Sequence, residues 1–156
     1  MQGSPVTEYS RRVAAELTSE ALEILSGRHV GVLSTLSRGG PTLACVWYSI
    51  HEGDIVISTP SGRRKDRNVQ ADARVAFLVD ERGLDHTTTG LGYRGVEIRG
   101  IAAMHPDPQA AVRRLIVARY LDPITPEYQS RMIDSERAII RITPDRVRTW
   151  DYTRGR

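Results

Sequence analysis

A chain of 156 residues, 40 % apolar and 26 % charged, fits one globular domain and excludes both a disordered composition and a long multidomain enzyme. A domain of this size buries roughly 70 % of its unfolded surface. The single cysteine, Cys45, excludes an internal disulfide framework and suits a reducing cytoplasm, and no apolar run approaches the length of a membrane span. A formal net charge of +3 suits an anionic small molecule or a nucleic acid, and decides between them only together with the motifs.

Residues 1–17 are polar and read as a flexible N-terminal segment with no apolar core of signal-peptide length. Thr18 or Ser19 caps a first helix, Ser19 to Leu25, with Ala21, Leu22 and Leu25 as its apolar stripe. His29 to Leu36 predicts a strand, Arg38-Gly39-Gly40-Pro41 a turn, and Thr42 to Ile50 a second strand of the same hairpin. Glu52-Gly53-Asp54 turns the chain into a third strand, Ile55–Ser58, and three strands in series predict a meander. A short helix ending near Asp72 leads to a fourth strand, Val75–Val79. Asp80 to Gly92 lacks periodicity and reads as a long exposed loop. Tyr93 to Met104 is a fifth strand, in which Val96 and Ile98 alternate with Glu97 and Arg99. Pro106 and Pro108 open a helix from Gln109 to Tyr120, and a shorter one is predicted around Glu127–Met132. Arg137 to Thr143 is the sixth strand, and Val147 to Tyr152 a seventh or an edge segment. The expected fold is therefore mainly β, a six- to seven-stranded antiparallel barrel with two or three helices. It forms one domain over residues 18–152, followed by a tail, 153–156.

The stretch from Ile55 to Val79 carries the chemistry. A strand ends in Ser58-Thr59-Pro60, breaks at Ser61-Gly62, passes through Arg63-Arg64-Lys65-Asp66-Arg67-Asn68 and re-enters a strand at Val75. Hydroxyls, backbone N–H groups and four cations gather at one helix start, where the helix dipole also favours negative charge. The 22 basic residues are 21 Arg and one Lys, and that lysine, Lys65, sits in this turn. Lys65 is expected to hold a ligand phosphate. A solvated basic turn or a nucleic-acid patch is the plainer alternative, but no aromatic residues interleave the cations as nucleic-acid binding would want.

Taken in order, Gly31-Val32-Leu33-Ser34-Thr35-Leu36, Gly40-Pro41, Val46-Trp47-Tyr48, Ser58-Thr59, Arg64-Lys65, Arg67-Asn68-Val69, Asp72-Ala73-Arg74-Val75 and Glu97-Ile98-Arg99-Gly100 resemble the pyridoxamine-phosphate-oxidase-like split β-barrel superfamily. The resemblance covers Leu17 to Trp150. It implies a homodimer with FMN, the deazaflavin coenzyme F-420 or heme at the subunit interface. By the same likeness, Ser58, Thr59, Arg63, Arg64, Lys65 and Arg67 hold the cofactor phosphate and Asn68 braces the turn. Val46 and Trp47 lie beside the ring system, and Tyr93 and Trp150 reach the site from the partner subunit. The run Arg64-Lys65-x-Arg67-Asn68-Val69 looks closer to the F-420-dependent branch. The C-terminal Arg-x-His-x-Arg-like substrate motif of authentic pyridoxamine-phosphate oxidases is missing from Arg146–Asp151. The implied activity is an F-420-dependent oxidoreductase, with an FMN-dependent enzyme or a non-catalytic cofactor or heme carrier as alternatives.

Hydride chemistry carried by a flavin or deazaflavin needs no acid–base residue from the protein. F-420 has a phosphodiester and a polyglutamate tail, so four cations suit it better than the single phosphate of FMN. Trp47 is equally readable as a core or interface residue, Tyr93 as packing, Cys45 as a small core residue and Glu97 as the partner of an Arg in the sheet. The isolated His29, His51, His86 and His105 lack metal-ligand spacing, so no metal is expected. The partners expected are a small organic substrate and a second copy of the chain, with neither nucleic acid nor membrane.

Overall fold

The computed structural model describes residues 14–82 and 93–152. Seven strands form one antiparallel sheet: β1 (Gly31–Ser37), β2 (Gly40–Val46), β3 (Ser49–His51), β4 (Asp54–Pro60), β5 (Arg74–Arg82), β6 (Tyr93–Pro106) and β7 (Arg137–Asp151). Their spatial order is β2-β1-β5-β6-β7-β4-β3. Inward-facing residues of β1, β2 and β4–β7 meet in one core, including Leu33, Val46, Ile57, Phe77, Ile98 and Ile140, so the sheet curls around a single interior as a split β-barrel. Leu17 packs against this core, and the Ala15 N–H donates to the Pro144 carbonyl at 2.8 Å.

Helix α1 (Ser19–Ser26) begins where the Thr18 hydroxyl accepts from the Ala21 N–H at 3.1 Å, and it buries Ala21, Ile24 and Leu25. Helix α2 (Arg64–Ala71) buries Asp66, Asn68 and Val69 and packs on β1 and β6. Helix α3 (Ala111–Tyr120) starts where the Asp107 carboxylate accepts from the N–H groups of Val112 and Arg113, at 3.2 and 3.0 Å. It lies on β3 and β4. A short turn, α4 (Pro126–Tyr128), runs into a wider π-helical segment, Gln129–Asp134, where one helix around Glu127–Met132 was expected. No helix among the described residues is long and apolar enough to cross a membrane.

Three sequence expectations are corrected. The run Thr42–Ile50 is not one strand: it breaks at Trp47 and Tyr48 into β2 and β3. The break follows from Tyr48, whose hydroxyl donates to the Leu25 carbonyl at 2.9 Å while its N–H donates to the Tyr120 hydroxyl at 3.2 Å. The serial meander does not form either, because β2 and β3 occupy opposite edges of the sheet and β4 pairs with β7. Finally, the two C-terminal segments are one long strand, β7, with Pro144 and Asp145 absorbed by a bulge opposite Arg99 and Gly100. A bulge tolerates a proline that a regular ladder rejects. Strand β5 extends to Arg82, three residues beyond the expected end, and the rest of the predicted loop, 83–92, lies outside the described residues, as do 1–13 and 153–156.

Candidate functional site

The alternation of β4 sorts its residues. Ile55, Ile57 and Thr59 are wholly buried, and the Thr59 hydroxyl donates to the Pro60 carbonyl of its own strand at 3.3 Å. Val56 and Ser58 face outward. The Ser58 hydroxyl accepts from Arg137 Nε at 2.8 Å, and Arg137 Nη2 donates to the Ser58 carbonyl at 3.2 Å. Arg137 opens β7 directly across the ladder from Pro60, so the strand pairing itself delivers this guanidinium to the basic turn.

Past Pro60 the chain turns through Gly62, whose φ of +80° lies in the region that glycine adopts without strain. Arg67 folds back and donates to the Gly62 carbonyl at 2.6 Å, which fixes the turn from inside. The Asp66 carboxylate accepts from the Arg63 N–H at 3.0 Å through Oδ2, so the chain's own carboxylate fills the first backbone donor of α2. Asn68 is buried, and its Nδ2 donates to the hydroxyls of Thr35 at 2.9 Å and Thr42 at 3.1 Å. That tie anchors the turn to β1 and β2. Asn68→Ala removes a buried donor from two hydroxyls, and a cost of about 1–2 kcal/mol is expected in a urea titration; an unchanged midpoint would show that the helix docks without it.

Arg63, Arg64 and Lys65 remain. Their side chains make no hydrogen bond or ion pair among the described residues. Burial pushes the Lys65 ammonium below its ordinary pKa; the Asp66 carboxylate partly offsets this, and the charges of Arg137 and Arg63 add to it. Burial likewise lowers Arg137, followed by the charges of Arg113 and Arg63. Half-buried cations that repel one another gain from an arriving anion in two ways, through relief of repulsion and through replacement of lost hydration. The donor set fits a phosphate. Beside it lies a pocket of about 370 Å³ lined by Ser61, Gly62, Asp66, Gln70, His105 and Arg137.

Trp47 sits on the same outer face of the β4–β7 ribbon. It packs with Val56 and Ile139, each two residues from Ser58 or Arg137, and stacks on Tyr120 at 4.7 Å and on Tyr128 at 6.0 Å between ring centroids. Val46 points the other way, into the barrel core. Tyr93 and Trp150 are brought together, but not at the turn. They line a larger cavity of about 600 Å³ on the outer face of β1, β5, β6 and β7, with Val32, Leu43, Leu78 and Tyr152. The Trp150 indole lies against Gly95, where a Cβ would come within 2.1 Å of the ring. Glu97, at the edge of this cavity, accepts from Arg99 Nε at 2.8 Å. Cys45 is exposed on edge strand β2, not the core residue expected. Among the described residues no group of three His, Cys, Asp or Glu could hold a metal ion. Arg137 is the residue that sequence reasoning missed; 79 positions separate it from Ser58, and nothing local marks it.

The family model for pyridoxamine 5'-phosphate oxidase matches residues 17–151. No curated protein sequence matches the chain. Among solved structures the chain is similar to a conserved hypothetical protein from Mycobacterium tuberculosis, at 27 % identity and a TM-score of 0.72 over 91 % of this chain and 89 % of that one. It is also similar to an F-420 reductase, at 24 % identity and a TM-score of 0.65 over 81 % of this chain and 94 % of that one. A heme binding protein from Mycobacterium smegmatis shares 23 % identity with a TM-score of 0.66, over 92 % of this chain and 57 % of that one. These last two likenesses establish the fold alone. The chain belongs to the pyridoxamine 5'-phosphate oxidase family.

Proposed function

We propose that this member of the pyridoxamine 5'-phosphate oxidase family is a homodimeric oxidoreductase that binds coenzyme F-420 and passes a hydride between the deazaflavin and a small organic substrate. The observation that supports it most is the half-buried pair Lys65 and Arg137, which with Arg63 repel one another while Arg137 holds Ser58, beside an aromatic platform at Trp47 on the same face. The cluster binds the phosphodiester, and its surplus charge suits the anionic tail. When bound, the deazaflavin supplies the hydride chemistry. The chain's own residues grip the phosphate, set the ring's position and exclude water.

The second copy is proposed to cover the outer face of the sheet. That face exposes Leu43 at 73 %, with Leu78 beside it, and holds the aromatic cavity of Tyr93, Trp150 and Tyr152. A patch of this kind marks an interaction surface. Closing it with a second copy supplies Tyr93 and Trp150 to the partner subunit's cofactor, which accounts for their distance from the turn.

Titrating the protein with F-420 up to tens of micromolar is expected to give a saturable change in the coenzyme's fluorescence. No change over that range overturns the reading. FMN also presents one phosphate to such a cluster; a yellow protein that releases FMN on denaturation decides for an FMN-dependent enzyme on the same site.

A further inference from the structure

We propose that Asp66 sets which phosphates this pocket accepts, favouring a singly charged phosphodiester over a doubly charged phosphate monoester. The inference rests on the cofactor site placed above at Lys65 and Arg137.

Asp66 is only 2 % exposed, and it lines the pocket beside the proposed phosphate site. It lines the same pocket as Gly62 and Arg137, and its charge acts on both Lys65 and Arg137. One oxygen, Oδ2, accepts from the Arg63 N–H at 3.0 Å. The other, Oδ1, is buried with no hydrogen-bond partner. The carboxylate is therefore only half satisfied, and its charge is not cancelled by hydrogen bonding. This amide needs no charged acceptor, since a neutral amide side chain at the third helical position accepts the same bond. An acid at this position helps α2 through the helix dipole when no ligand is present. Once an anion is bound it repels it.

That repulsion grows with the charge on the phosphate. A monoester such as the phosphate of FMN carries about −1.5 to −2 at pH 7, whereas a diester carries a single negative charge. The penalty from Asp66 is thus up to about twice as large for FMN as for the phosphodiester of F-420. The cations attract both; Asp66 biases the choice between them.

The test is the dissociation constants of FMN and F-420 for the full-length protein and for Asp66→Asn, by fluorescence titration at one ionic strength. Asparagine keeps an acceptor for the Arg63 N–H and removes the charge. The variant is expected to bind FMN about tenfold more tightly, close to 1.4 kcal/mol. F-420 is expected to gain about threefold or less. Equal gains for both ligands, no gain, or weaker binding of FMN overturns the proposal. Asp66→Gln, whose neutral amide oxygen also accepts from the N-cap amide, must give the same ordering, and a thermal melt of each variant checks that α2 stays docked. Failure of the cofactor site itself looks different: neither ligand then binds the wild-type protein, and the assignment of Asp66 falls with it.

Discussion

Removing Lys65 and Arg137 together is expected to weaken cofactor binding by about 3–4 kcal/mol, roughly 150- to 700-fold in Kd. Each cation alone accounts for about 1–3 kcal/mol, the range for a charge-assisted hydrogen bond to a phosphate oxygen. The two losses do not simply add, because the Arg137 charge raises the cost of keeping Lys65 charged. Arg137→Ala relieves Lys65 of that neighbour, so the second substitution is felt less than the first. Stability separates this reading from a structural one. Lys65 makes no hydrogen bond or ion pair among the described residues, so Lys65→Ala should melt within about 0.5 kcal/mol of wild type. Arg137→Ala gives up two hydrogen bonds to Ser58 and should melt slightly lower. Unchanged affinity in the double variant moves the phosphate away from this turn; a collapsed fold in Lys65→Ala makes the lysine a structural residue.

The turn was legible from sequence because everything that makes it is local. A strand ends at Pro60, Gly62 supplies the positive φ, and the cations follow within five residues. The family resemblance implied Asn68 as a brace of the turn, while its partners Thr35 and Thr42 lie too far along the chain to be read locally. Alternation tells which face a residue occupies and says nothing of which strand lies beside it. That is why Ser58 could be assigned to the turn while Arg137, its partner across the β4–β7 ladder, could not. It is also why three consecutive strands suggested a meander: the pairing of β4 with β7 and of β1 with β5 links segments far apart in the chain. The break at Trp47-Tyr48 was hidden by an apolar run, since it depends on α1 and α3 drawing Tyr48 out of the ladder. Thr59 looked interchangeable with Ser58 in the sequence. One step of the pleat puts it in the core.

Arg119→Ala is expected to destabilise the fold by about 2–4 kcal/mol, the combined range for a buried hydrogen bond to a charged donor and a cation–π contact. The last carbonyls of a helix need partners from outside its own ladder, and the Leu25 carbonyl at the end of α1 accepts from the Tyr48 hydroxyl at 2.9 Å. The Arg119 guanidinium, projecting from α3, donates to two of the carbonyls there, those of Leu25 and Gly27. It also lies 4.4 Å over the Tyr48 ring and donates to the Tyr48 hydroxyl at 3.2 Å. One side chain thus joins α3, α1 and the break between β2 and β3. Tyr48 itself carries a pH signature. Burial pushes its hydroxyl up to about 12, with Arg119 pulling the other way. Between about 10 and 12 the unfolded chain ionises this tyrosine while the folded protein keeps the proton. The unfolded state then binds fewer protons, so stability falls as pH rises through that window, by roughly 2–3 kcal/mol at its upper end. Burial raises Tyr120 too, which adds to the fall in the same direction. Urea midpoints for wild type and Tyr48→Phe at pH 8 and pH 11 isolate the Tyr48 share. The phenylalanine variant starts lower at pH 8, having lost the bond to Leu25, and should lose less on going to pH 11. Equal alkaline losses in the two proteins would place the titrating group elsewhere and leave Arg119 anchoring α1 through the carbonyls alone.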